Sequence, residues 1–202
     1  MTRRVDFYFD FISPFGWLAS LRVDEMASRH DYSVHWNSML LGVSVLKVMG
    51  MKPLRQYPLK GDYLKRDLTR YMRRHKITTA RDLDSAPANP LAAGRIFHIL
   101  NAQDEASAKR AAQALFKAYW SEARDIGDAD LAVAIAAEAG ADRKMLQDAL
   151  ASGEGDRLLR AAVDRSLARG VFGSPFFIVD DEPFFGLEKM GLVEEWLTSG
   201  GW

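Results

Sequence analysis

The stretch from Val5 to Trp17, Val-Asp-Phe-Tyr-Phe-Asp-Phe-Ile-Ser-Pro-Phe-Gly-Trp, constrains the fold more than any other part of the chain. Val5, Phe7, Phe9 and Phe11 alternate with Asp6, Tyr8 and Asp10, a period of two that predicts a strand with one buried face. At Ser13-Pro14 the pattern turns helical. Ser is a favoured helix N-cap, and Pro is tolerated at the first helical position because its missing N–H has no partner there. A hydroxyl therefore stands where a strand ends and a helix dipole begins, a point that suits an anion or a thiolate. Ser13 can serve as a plain cap, worth about 1 kcal/mol, or as a donor to such an anion. No Gly-x-Ser-x-Gly elbow surrounds it, which argues against an acyl-transfer nucleophile.

Pro14 to Arg29 predicts one helix with Trp17, Leu18, Leu21 and Met26 as its apolar stripe. A strand from Ser33 to Trp36 follows, and the β–α–β order makes it parallel to the first. From Leu41 to Leu167 the periodicity is almost entirely helical, apart from a loop over Thr78 to Pro90. Asp128 and Asp142 are expected N-caps and Gly140 a C-terminal stop. The end of the chain returns to strands at Phe176–Val179 and Pro183–Phe185. Pro183 places the second of these at a sheet edge or a strand start. An amphipathic helix over Glu188–Leu197 closes the chain. Strand–helix–strand, then helices, then hairpin–helix is an α/β, thioredoxin-like arrangement with a large all-helical insertion. Residues 1–40 and 168–202 are assigned to the discontinuous thioredoxin-like domain, and 41–167 to the insertion.

The 202 residues carry no formal net charge, which gives no nucleic-acid footprint. Lys65, Arg66, Arg70, Arg73, Arg74, His75 and Lys76 cluster, but Asp62 and Asp67 interrupt them, as on a solvated helix face. The chain has no cysteine. That excludes a disulfide framework, a cysteine–zinc site and cysteine-based redox catalysis by the chain itself, though not thiol chemistry supplied by a ligand. The four histidines lack metal-ligand spacing, so no metal site is expected. Neither a secretory signal nor a membrane span is apparent, and a cytoplasmic protein is expected. Pro175, between Gly173-Ser174 and a strand, is a candidate cis-proline. With a cis bond, the N–H and C=O of Ser174 would face outward to pair with an extended peptide ligand.

Phe9-Asp10-Phe11-Ile12-Ser13-Pro14-Phe15-Gly16-Trp17-Leu18-Ala19 resembles the opening of 2-hydroxychromene-2-carboxylate isomerases and kappa-class glutathione transferases. These are DsbA-like members of the thioredoxin-like group. The likeness continues through Leu40-Leu41-Gly42, Gly50-Met51-Lys52-Pro53 and Pro58-Leu59-Lys60-Gly61. It then runs through Ala88-Asn89-Pro90, Phe116–Trp120, Gly170–Pro175 and Phe185-Gly186-Leu187-Glu188-Lys189. The resemblance implies Ser13 as the catalytic serine and glutathione as cofactor. It implies Lys60, Met51, Ser174, Pro175, Leu187 and Glu188 as cofactor contacts, and Asn89 beside the substrate. Phe15, Trp17 and Trp120 are candidate walls for an aromatic substrate or plain core residues. Met51 stands where the family often has Asn, and Glu188-Lys189 where it usually has Asp-Arg. Lys lacks the bidentate fork of Arg. The reaction so implied is the glutathione-dependent interconversion of 2-hydroxychromene-2-carboxylate and trans-o-hydroxybenzylidenepyruvate. A glutathione transferase acting on electrophiles shares nearly all these residues, and a non-catalytic binding module is a third reading. A homodimer is expected by analogy with the family.

Overall fold

Strand β1, Arg4–Phe9, lies inside the sheet and is covered on both faces. The computed structural model describes residues 3–202. β1 pairs in parallel with β2, Ser33–Ser38, and antiparallel with β3, Phe176–Val179. β4, Glu182–Phe185, pairs antiparallel with β3 and completes a sheet of order β2-β1-β3-β4.

Every residue from Val5 to Asp10 is buried, so the single buried face expected from the alternation is wrong. The odd face carries the main aromatic core. Phe7 stacks on Phe177 and meets Trp36 edge-on, while Phe9 packs against Phe97 and Phe116. The even face has its own smaller cluster of Tyr8, Met39, Val171, Phe176 and Ile178. Asp6 on that face is matched by Arg4 and Arg169. A strand hydrogen-bonded on both sides and covered above and below buries its polar positions too, so alternation alone cannot reveal how many faces are covered.

Two short helices replace the single one expected over Pro14–Arg29. These are α1, Pro14–Ser20, and α2, Val23–Ser28. The Ser20 hydroxyl donates back to Trp17 O at 2.6 Å, an alternative to continued helical bonding. Arg22 then leaves helical geometry at φ −134°, and Leu21 is left half exposed. β2 runs on past Trp36 to Ser38 because Tyr8 and Phe9 still find partners in Asn37 and Ser38.

Between β2 and β3 the regular elements of the described residues are all helical. A π-helical turn spans Gly42–Val48 and a 3-10 turn Leu54–Gln56. Then come α3 Lys60–His75, α4 Leu91–Asn101 and α5 Glu105–Phe116, the last prolonged by a π-helical turn at Lys117–Ser121. α6 Ala129–Glu138, α7 Arg143–Ala151 and α8 Glu154–Ala168 follow. Asp128 and Asp142 cap α6 and α7 through backbone N–H groups, and Gly140 takes φ +98° just past α6. On α3 the basic residues lie on an exposed face, with Lys65 on Asp84 and Arg70 on Asp67. One continuous apolar core joins β1 to these helices. Pro183 sits in the outer strand β4. The closing helix α9, Met190–Ser199, begins later than expected, so Glu188 falls in a 3-10 turn, Leu187–Lys189, ahead of it. No helix among the described residues is long and apolar enough to cross a membrane.

Candidate active site

Ser13 caps α1 as its residue type predicts, its Oγ accepting the Gly16 N–H at 3.0 Å. The same hydroxyl donates to the backbone carbonyl of Ser174 at 2.9 Å, across 161 positions of sequence. Ser13 is only 4% exposed. Its oxygen thus has one acceptor role and one donor role filled, and among the described residues no histidine or carboxylate touches it. Without such a base the hydroxyl is not activated as a nucleophile, and its chemical resource is the proton it donates.

The Ser174–Pro175 bond is cis. Both polar backbone groups of Ser174 were expected to face a ligand, but here they divide. The carbonyl is occupied by Ser13, while the N–H has no partner among the described residues. The Ser174 hydroxyl is held by the Asp10 N–H at 3.0 Å. Gly16 makes this approach possible, since a methyl group on its Cα would lie 2.5 Å from Ser174 Oγ. Gly173 does the same on the other flank, where the ring of Phe185 lies against it. Phe172 and Phe185, ring centroids 4.7 Å apart, form an exposed aromatic pair beside the turn.

Asp10 is the group that sequence reasoning missed. Its side chain is fully buried. Oδ1 accepts from the Ile12 N–H at 3.1 Å and Oδ2 from the Leu41 N–H at 2.8 Å. Its own carbonyl accepts the Ser13 N–H at 2.9 Å. Burial pushes the Asp10 carboxyl up to about 6, against the two N–H bonds that favour its charged form. The only sequence signal was an acidic residue three positions before Ser13.

The remaining predicted residues are spread unevenly. Trp17 and Trp120 stack face to face at 5.7 Å, both buried, with the Trp120 indole N–H on Phe11 O. They are core residues here, whereas Phe15 is half-buried at the margin of that core. Asn89 is exposed and its Oδ1 accepts the Leu91 N–H at the entry to α4. Met51 is exposed in the loop after the first π-helical turn. Lys60 begins α3 with its ammonium 5.8 Å from the Tyr57 ring centroid. Leu187 is buried, and the Glu188 carboxylate folds back over Gly186. Neither Lys60 nor Glu188 has an ion-pair partner among the described residues, so a cation and an anion are both free for a charged ligand.

The family model for DSBA-like thioredoxin domains matches residues 4–198. The 2-hydroxychromene-2-carboxylate isomerase of Sphingobium xenophagum is 26% identical over 198 residues, covering 98% of this chain and 99% of that protein. The protein of the same name from Pseudomonas putida is 27% identical over 191 residues, with 94% and 92% covered. A solved structure of 2-hydroxychromene-2-carboxylate isomerase superposes with a TM-score of 0.81 at 26% identity, covering 96% of this chain and 94% of the other. The chain belongs to the family of DSBA-like thioredoxin domains, and these relatives within reach of sequence comparison are isomerases.

Proposed function

We propose that this protein is a glutathione-dependent isomerase that interconverts 2-hydroxychromene-2-carboxylate and trans-o-hydroxybenzylidenepyruvate. The observation that carries the reading is a buried hydroxyl, held as a proton donor at a helix N-terminus, in a chain without cysteine. A fold built for thiol chemistry that lacks a thiol of its own has use for one brought from outside. Glutathione, when bound, supplies that thiolate for reversible addition to the conjugated double bond. The names of the relatives support the substrate class.

The roles of the chain's own groups follow from their chemistry. Ser13 holds its proton at Oγ and turns it from Ser174 O toward an incoming anion, while Gly16 N–H and the α1 N-terminus stay on its acceptor side. A free thiol has a pKa near 8.5 and is mostly neutral at pH 7. A donor that lowers it by one unit contributes about 1.4 kcal/mol to the charged form. The free Ser174 N–H would hold the peptide backbone beside Pro175 and Leu187, Lys60 a carboxylate, and Glu188 an ammonium. Met51 would flank the ligand through its backbone or thioether.

The test is conversion of the chromene carboxylate with and without glutathione, with the thiol assayed before and after. Isomerisation that needs glutathione and leaves its amount unchanged is the expected result. Isomerisation at the same rate without it overturns the cofactor assignment. Net consumption of glutathione with a chlorodinitrobenzene acceptor, and no isomerisation, assigns a transferase instead.

A further inference from the structure

We infer that Asp10 is the positioning residue of this site, and that it works only as a carboxylate. It touches each of the three segments that meet there. Its carbonyl holds the Ser13 N–H, its N–H holds the Ser174 hydroxyl, and its side chain spans from Ile12 to Leu41. Leu41 opens the stretch that leads through the first π-helical turn to Met51 and Lys60. One buried side chain thus links the catalytic turn to the segment on which the proposed cofactor contacts lie, and in this respect the inference rests on the proposed function.

The geometry favours the charge. Both oxygens face N–H donors. Protonation takes a lone pair from one of these oxygens and weakens the tie that it accepts. An Asn there loses one tie outright, because its NH2 would face an N–H and cannot accept it. No Lys, Arg or His touches Asp10 among the described residues. The Ser174 hydroxyl sits on its backbone N–H, and the buried phenol of Tyr119, from the π-helical turn after α5, lies more remotely. A carboxylate kept in such a place without a cation is costly for stability alone, and the tie it makes is the compensating role. Burial raises its pKa to about 6, so the tie weakens as pH falls through that value.

The test combines amide NMR with kinetics on the full chain. In the wild type the Ile12 and Leu41 amide protons are expected to titrate together with a midpoint near pH 6. In Asp10→Asn both titrations vanish and the Ser13 amide shifts. The variant is also expected to lose at least tenfold in kcat/KM for the glutathione-dependent isomerisation at pH 7.5. Amides that stay flat between pH 5 and 7 in the wild type overturn the inference. So does an Asn variant with wild-type kcat/KM and an unmoved Ser13 amide. The NMR arm needs no substrate, so a wild-type protein without isomerase activity would refute the proposed reaction and leave the Asp10 assignment separately decided.

Discussion

The corner where β1 ends and the strip from Leu46 to Tyr63 face opposite demands. At the corner, Asp10, Ser13, Gly16 and Ser174 are tied by hydrogen bonds that leave little freedom. The strip carries Leu46, Val48, Met49, Met51, Leu54, Leu59 and Tyr63, all exposed. It is built on a π-helical turn, a 3-10 turn and a Leu59 at φ +66°. The corner fixes one hydroxyl to within a hydrogen-bond length. The strip offers adaptable apolar surface and two candidate ligand contacts. A proton donor must be pre-set, because misplacement costs rate, whereas a surface that admits a ligand gains from looseness.

The largest expected effect lies on the acid side of the corner. Two buried titratable groups hold the chain as it leaves β2. Asp10 binds Leu41 N–H, and His98 Nε2 lies 2.9 Å from Ser38 O, where it must carry the proton. Burial lowers the His98 pKa to about 4, outweighing the favourable Ser38 carbonyl. The signs oppose. Asp10, raised in the folded state, lowers stability as pH rises from about 4 to about 6. His98, lowered in the folded state, raises stability as pH rises from about 4 to about 6.5. Each amounts to about 3 kcal/mol, so wild-type stability is expected to be nearly flat across this window. Urea titrations of Asp10→Asn should then show stability climbing by about 3 kcal/mol from pH 4 to 6.5, and His98→Gln should show the reverse slope. Parallel slopes in all three proteins would break the picture of a charge-bearing corner.

Next come the hydroxyl and the glycine beneath it. Ser13→Ala is expected to lower isomerase kcat about 100-fold, in the range seen when an oriented donor is removed, while losing about 1 kcal/mol of stability with the cap. Unchanged turnover would leave Ser13 as a cap and nothing more. Gly16→Ala drives a methyl to 2.5 Å from Ser174 Oγ, so the Ser174–Asp10 bond must give way. About tenfold lower kcat and about 1–2 kcal/mol of lost stability are expected, read by steady-state kinetics and thermal melting.

Features set by neighbours in sequence were legible in advance. Ser13, Asp128 and Asp142 as caps, Gly140 as a stop and Pro183 in an edge strand each depend on a few adjacent residues. What was illegible depends on partners far along the chain. Asp10 read as a solvent-facing strand residue because the segment that covers it begins 31 positions later. The bond from Ser13 to Ser174 O joins two local motifs, each recognisable alone, and occupies a carbonyl that either motif alone would leave open. The break after Ser20 turned on one hydroxyl choosing a backbone carbonyl over water. Trp17 and Trp120 fit equally well as pocket walls or as core until their stacking was visible.

The smallest effects belong to the strip, and they sharpen the contrast most. Met51 is 45% exposed and belongs to neither apolar cluster of the described residues, so Met51→Ala should change stability by less than about 0.5 kcal/mol. If the strip only admits the ligand, the substitution alters binding in ground and transition states alike. It then appears as a rise of roughly two- to threefold in the KM for glutathione, with kcat unchanged. Steady-state kinetics with glutathione varied at saturating chromene carboxylate separates the two parameters. A fall in kcat as large as that of Gly16→Ala would erase the distinction and make Met51 part of the fixed machinery. Corner and strip would then have to be joined more tightly than through the tie from Asp10 to Leu41.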